Sequence, residues 1–554
     1  MKKVLLGNEA IVQGALEAGV DFVSGYPGCP AAEIGDEFGR IAKENNIYAE
    51  WSTNEKVALE AAVGASFSGL RALVNMKSFG ANVCLDSLLP LAYTGTKAPM
   101  VIVIADDPSC HSSAQSEQDS RAFANMSHIP MLEPSDAEEC YEFTKLAFEI
   151  SEKFNTPVIL RTTTRVAHQR SVVELAGYKK RDQLKKGEFV KNPHQFSTMP
   201  PRTLEMKKEL LDKIEKIKQF AEKSNLNFIS GNSPSPKASA RQVGIIASGV
   251  SYLHVLEALN EIDLDLPVLK LGFFYPLPEK KIKDFIKKFK KVLITEEIDG
   301  YIEDEIIKLA KDANPKLEIY GKNLLGDTGE LNTEKITVAF SKILKLKIKN
   351  EPYGEQAIKL EIPRRTAKLC EGCPYWHIFP LLKRIAPEGA VFGGDIGCNM
   401  IAGLPPHSMH DYLFSMGASL GISHGVKKST NQKVISIMGD GTFFHAGIPA
   451  LINTTYNKSN PLIIITDNRI TAMTGHQQNP GMGKTAMTED AEELKIEEIA
   501  RACGVKHIKV LDPINVKEFE DTVKEFLEKD EVSIIICKRI CALLEKRQSA
   551  QQYD

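Results

Sequence analysis

The sequence predicts an α/β protein built from several doubly wound, mostly parallel sheets. Three observations point there. Apolar runs of strand length recur along the chain, with helical patterns between them. Several of those runs lack polar alternation, as strands buried on both faces of a parallel sheet require. The composition agrees: 43% hydrophobic and 25% charged residues over 554 positions describe an ordinary folded chain, long enough for three or four domains.

The clearest strand runs are 100–104, 158–160, 243–246, 292–294, 434–437, 462–465 and 532–536. Helical patterns lie between them, as at 138–152 and 516–528. Two stretches break the rhythm. Residues 176–240 are Lys-rich and carry Pro193, Pro200, Pro201, Pro234 and Pro236, yet Leu204, Leu210, Leu211, Ile214, Ile217 and Phe220 recur at helical spacing. This reads as a surface helix inside a long connection that ends in a Ser/Gly/Pro linker near 230–239. A second charged connection covers about 345–366. The breaks leave blocks at 1–175, 241–345 and 366–554, each of normal domain size.

Charge narrows the function classes. Lys plus Arg number 69 against 72 for Asp plus Glu, a net charge of −3. That balance argues against a dedicated binder of nucleic acid or of membrane surfaces. No apolar run approaches the length of a membrane span, and the apolar stretch after Lys3 is too short for a signal peptide, which points to the cytoplasm. In a reducing compartment, clustered cysteines bind metals or do chemistry more often than they form disulfides.

The strongest chemical signal is Gly439-Asp440-Gly441, directly after a strand run. A second strand run leads into Asp467-Asn468-Arg469-Ile470. Glycines let the backbone approach a diphosphate closely, and Asp440 stands at the sheet edge. The Asn468 side chain and the Ile470 carbonyl add hard oxygen donors of the kind Mg²⁺ shares with phosphate and water. Alone, Gly-Asp-Gly is a turn; the flanking strands and the second oxygen donor favour the functional reading. The pair resembles the thiamine-diphosphate binding motif, in which Asp440, Asn468 and Ile470 would hold the metal, with Gly439, Gly441 and Thr442 beside the cofactor. Enzymes of that kind also need a carboxylic acid to bring the aminopyrimidine to its imino form, a general acid–base role. The family pattern sets this acid just before a small-residue helix, which selects Glu55, ahead of Ala61-Ala62-Val63-Gly64-Ala65.

Longer motifs narrow the resemblance. Gly25-Tyr26-Pro27-Gly28-Cys29-Pro30 is similar to the YPGTP-type loop of 2-oxoacid:ferredoxin oxidoreductases, so Gly28, Cys29 and Pro30 are expected at the cofactor. Residues 105–121, 369–374, 394–398 and 416–419 resemble the large subunit of indolepyruvate:ferredoxin oxidoreductase, from about residue 5 to 545. That resemblance implies a pyrimidine-binding domain (1–175), a transketolase-C-terminal-like domain (241–345) and a diphosphate-binding domain (366–554). It implies CoA-dependent oxidative decarboxylation of a 2-oxoacid, with electrons passing through an iron–sulfur cluster to ferredoxin. It also implies a small β subunit (γ-type) in an α2β2 assembly. His111, Ser112 and Arg121 become candidates for binding the substrate carboxylate or moving protons, against the alternative of a solvated loop with a structural ion pair.

Cys370 and Cys373 form a C-x-x-C, with Cys398, Cys537 and Cys541 farther along. Such a set can hold one [4Fe–4S] cluster or a structural Zn²⁺, and spacing alone does not choose. By resemblance, Cys370, Cys373 and Cys398 are ligands and Cys541 the fourth, with Cys537 as the alternative. Three departures stand out. No C-x2-C-x2-C-x3-C-P run is present, so further clusters are either missing or supplied by a separate polypeptide, a ferredoxin or ferredoxin-like chain. Cys29 stands where the family has Thr. Lys77-Ser78-Phe79-Gly80-Ala81-Asn82 replaces a KHVGLN-like stretch. The last two fall in loops expected to face the substrate, where a lost hydrogen-bonding partner shifts specificity. Two other readings stay open: a non-oxidative decarboxylase or carboligase, and a non-catalytic assembly subunit with structural Zn²⁺.

Overall fold

A computed structural model describes residues 1–231, 242–346 and 367–551. Most of the predicted linker near 230–239 and of the connection at 345–366 lies outside these residues. The chain divides into two compact units, Met1–Glu361 and Ile362–Asp554.

The first unit contains two large sheets. In the seven-stranded sheet the order is Phe273–Tyr275, Met131–Leu132, Val158–Thr163, Met100–Asp106, Ala72–Lys77, Phe22–Gly25, Tyr48–Trp51, all parallel except the first pair. Its central strands are buried on both faces, which is why they read as unbroken apolar runs. Their register aligns the carboxyl ends: Gly25 lies opposite Asn75, Lys77 opposite Ala105, and Asp106 opposite Thr163. The short edge strands carry too few apolar residues to stand out in the sequence.

The five-stranded sheet of this unit runs Glu318–Tyr320, Lys291–Thr295, Val243–Ser248, Val268–Leu271, Asn227–Ser230, with only the last strand antiparallel. The connection between the two sheets is therefore not a free strap, because its end adds a strand. Its helix, Arg202–Lys223, buries Met206, Leu210, Ile217 and Ala221. Leu204 and Leu211, counted in the predicted apolar stripe, are exposed instead. The buried face runs from Met206 to Ala221, but the stripe is narrower than the spacing predicts.

The second unit is a six-stranded, wholly parallel sheet in the order Tyr412–Leu413, Val391–Gly394, Val434–Gly439, Leu462–Asp467, Ser533–Lys538, His507–Leu511. Gly439 pairs with Thr466 and Asp467 with Lys538. The residues that follow, Asp440, Asn468 and Cys541, thus leave the sheet along one carboxyl edge. That is the edge at which open parallel sheets bind ligands. Among the described residues, no helix is long and apolar enough to cross a membrane.

Candidate active site

The second unit holds the oxygen donors. Asp440 begins a helical turn straight after its strand and is almost fully buried. One carboxylate oxygen accepts a hydrogen bond from Asn479 Nδ2 at 2.9 Å. Burial, followed by the charge of neighbouring Asp467, pushes the Asp440 carboxyl up to about 7. Asn468 and Ile470 are also buried, and the Asn468 side-chain oxygen accepts from the Ile470 N–H at 3.2 Å. The Thr442 hydroxyl donates to the Ile396 carbonyl. A Cβ on Gly441 would come within 3.1 Å of Thr471 Oγ1, so Gly441 leaves little room for a larger residue. Asp440 and Asp467 are neighbouring buried carboxylates, and Asn468 adds an amide oxygen, so the donors here are hard oxygens.

The cysteines adjoin this edge. The Cys541 N–H donates to the Asn468 carbonyl at 3.1 Å, which ties it to the Asp-Asn turn. A Cβ on Gly372 would touch Ala542, so the C-x-x-C loop lies against residue 542. The Cys398 thiol is pushed up to about 12, by burial first and then by neighbouring Cys373, Cys541 and Cys370. Cys373 is raised to about 11 by burial and, among its charged neighbours, by Cys370 and Cys541. Cys537 is sealed in the core, where burial and Asp512 act on it and none of those cysteines does. Cys541 Sγ also lies 3.7 Å from His476 Nε2. Among the described residues, no three His, Cys, Asp or Glu side chains stand in metal-holding geometry. The four cysteines are neighbours rather than a closed cage.

The first unit holds Glu55. It opens the helix Glu55–Phe67, whose N-cap Asn54 accepts from the Val57 N–H at 2.9 Å. The carboxylate is buried and packs directly over Gly80: a Cβ there would sit 2.5 Å from Glu55 Cγ and 2.9 Å from Oε1. Burial, followed by the charge of Glu55, pushes the Cys84 thiol up to about 12. Nearby, the loop bearing Gly28, Cys29 and Pro30 rests on Lys77, whose Cβ would be 2.9 Å from a Cβ on Gly28. Ser112 joins the same place, its hydroxyl donating to the Cys29 carbonyl and to Asp107. Lys77 entered the sequence reading only as part of a replaced stretch. Its burial is invisible in a string of letters.

The loop candidates stand in different surroundings. Arg121 is held in an ion-pair network. Its guanidinium is fully buried and donates to Asp119, to both oxygens of Glu133 and to the Glu297 carbonyl. Arg161 shares Glu133 and adds Asp106. Such a network satisfies buried charge and leaves no free donor edge for a carboxylate. His111 is largely exposed, with Nε2 3.7 Å from Glu330, which itself holds Arg165 through two hydrogen bonds. Of the three loop candidates, Ser112 alone sits beside the Cys29 loop.

Comparison with known proteins follows these positions. Residues 13–223 match the family "Pyruvate flavodoxin/ferredoxin oxidoreductase, thiamine diP-bdg", and residues 395–537 match "Thiamine pyrophosphate enzyme, C-terminal TPP binding domain". "Indolepyruvate oxidoreductase subunit IorA" of Methanothermobacter thermautotrophicus is 42% identical over 98% of this chain and 87% of its own length. The protein of that name from Pyrococcus horikoshii is 40% identical over 98% of this chain and 86% of its own. A solved 2-oxoglutarate:ferredoxin oxidoreductase from Magnetococcus marinus aligns with 62% of this chain and 65% of its own at 17% identity and a TM-score of 0.49. The chain belongs to the indolepyruvate oxidoreductase IorA subunits, a family of thiamine-diphosphate-dependent 2-oxoacid oxidoreductases.

Proposed function

We propose that the chain catalyses CoA-dependent oxidative decarboxylation of a 2-oxoacid, an arylpyruvate such as indolepyruvate, to an acyl-CoA and CO₂, with electrons leaving through one [4Fe–4S] cluster to ferredoxin. The observation that carries this reading is one sheet edge that holds both chemistries. Asp440 and Asn468 present oxygen donors there, and Cys541 is hydrogen-bonded to Asn468 beside three further cysteines.

Asp440, Asn468 and the Ile470 carbonyl would hold Mg²⁺ against the diphosphate, with Gly439, Gly441 and Thr442 alongside. Thiamine diphosphate supplies, when bound, the electron sink that decarboxylation needs. Glu55, buried over Gly80, would exchange a proton with the aminopyrimidine ring nitrogen. Cys370, Cys373, Cys398 and Cys541 would ligate the cluster, and the grouping of Cys541 with the other three favours it over Cys537. Residues 1–175, 241–345 and 366–554 serve as pyrimidine-binding, transketolase-C-terminal-like and diphosphate-binding domains. The relatives are named as subunits, and a small β subunit completes an α2β2 enzyme.

The test is metal content with activity. The chain, purified without oxygen, is expected to hold about four irons and matching sulfide. Together with its β subunit it should reduce methyl viologen when given indolepyruvate and CoA. Zinc in place of iron would make the cysteines structural. CO₂ release without viologen reduction would establish the non-oxidative decarboxylase.

A further inference from the structure

Lys77 closes the strand Ala72–Lys77 and is 9% exposed. Lysines are almost never so buried without a counter-charge. Its Nζ donates to the Ser112 carbonyl at 3.0 Å and stands 5.1 Å from the centre of the Phe79 ring, both neutral partners. Among the described residues no carboxylate lies in an ion pair with it. Asp107, the acid that acts on it most, is already occupied: one oxygen takes the Ser112 N–H at 2.8 Å and the Ser112 and Ser113 hydroxyls, and the other takes the Thr164 hydroxyl at 2.6 Å. Burial pulls Lys77 below the ordinary ammonium range, against the pull of Asp107, Cys29 and Cys110. An ammonium in this state gains from any anion that can reach it.

Three loops bring that anion site next to Glu55. Gly28 lies directly on Lys77, and its lack of a side chain is what admits the contact. Ser112 bridges from Lys77 to the Cys29 carbonyl. Gly80, three residues after Lys77, carries the Glu55 carboxylate against its Cα. Lys77 and Gly80, the residue under Glu55, are thus one helical turn apart along the chain at the carboxyl edge of a parallel sheet, where small-molecule ligands bind.

We infer that Lys77 binds the carboxylate of the 2-oxoacid, set by the Gly28–Cys29 loop and Ser112 beside Glu55. The substrate anion supplies the counter-charge that the fold leaves out. A single ammonium acts as a point charge, without the planar fork of an arginine. It selects for an acid while leaving the side chain of that acid to other contacts. The inference rests on the proposed function only for the identity of the anion.

The test uses inert probes on the full chain with thiamine diphosphate and Mg²⁺. Indole-3-propionate should bind at least about tenfold more tightly than its neutral amide, the preference expected of one buried hydrogen bond to a charged group. Lys77→Met should remove the preference, while Lys77→Arg should keep part of it and cofactor affinity should stay unchanged in both. Equal binding of acid and amide by the unaltered chain, binding of neither, or an undiminished preference in Lys77→Met would each overturn the inference. Viologen reduction with indolepyruvate and CoA is measured alongside. An intact acid preference without turnover would sink the proposed function and leave the carboxylate site standing.

Discussion

A methyl group at residue 80 should disable the enzyme without unfolding it. In Gly80→Ala the new Cβ would lie 2.5 Å from Glu55 Cγ and 2.9 Å from Oε1. Ordinary contact begins near 3.4 Å, so something must move by about 1 Å. The obstructing atoms belong to a flexible side chain rather than to backbone, so Glu55 is what moves. A misplacement of that size at a reacting group costs roughly 100-fold, equal to about 2.7 kcal/mol of barrier. The assay is exchange of the C2 proton of bound thiamine diphosphate, followed by quenched NMR. Exchange should slow about 100-fold while cofactor affinity holds, because the diphosphate donors lie in the other unit. Gly64 is the control. It sits in the helix that Glu55 opens and has no atom within 4 Å of its virtual Cβ. Gly64→Ala should leave exchange unchanged and stabilise the fold by roughly 0.5–1 kcal/mol. Wild-type exchange in Gly80→Ala, with cofactor bound, would refute the role given to Glu55.

Three further outcomes are expected. Asp440→Ala should abolish Mg²⁺-dependent cofactor binding in calorimetry, and tight binding by that variant would remove Asp440 from the metal site. Cys398→Ser should lose most of the iron and sulfide, whereas Cys537→Ser should keep both; iron loss in the second would exchange their roles. Burial raises the Glu296 and Glu297 carboxyls to about 7, against the lowering pull of the buried arginines. Their stabilising contribution is present in full below the unfolded value, about 4.3, and is lost as pH rises through about 7. Each is worth up to about 4 kcal/mol. The urea midpoint should therefore fall between about pH 4 and 7, and Glu297→Gln should flatten that fall; an unchanged slope would show that Glu297 does not titrate there.

What the sequence carries and what it hides divide along the range of the forces involved. Strands buried on both faces announce themselves as apolar runs, so 100–104 and 462–465 are legible. Gly439-Asp440-Gly441 is legible because a strand end, a carboxylate and two glycines are neighbours in the chain. The edge strands, such as Tyr48–Trp51 and Phe273–Tyr275, are not, since their pairing partners rather than their own residues hold them in place.

The sequence by itself determined the fold class, the strand-end motif and the inventory of cysteines. Tertiary structure alone decided which charges are spent. Arg121 and Lys77 are both cations in motif-bearing stretches, and no local pattern separates them. Folding surrounds Arg121 with Asp119 and Glu133, but gives Lys77 a backbone carbonyl, the Phe79 ring and an already occupied Asp107. Cys541 and Cys537 differ in the same way. One emerges past the sheet edge beside Asn468, and the other points into the core four residues earlier. In each case the deciding partner is far away in sequence, and only the packed sheet brings it near enough for charge and hydrogen bonding to act.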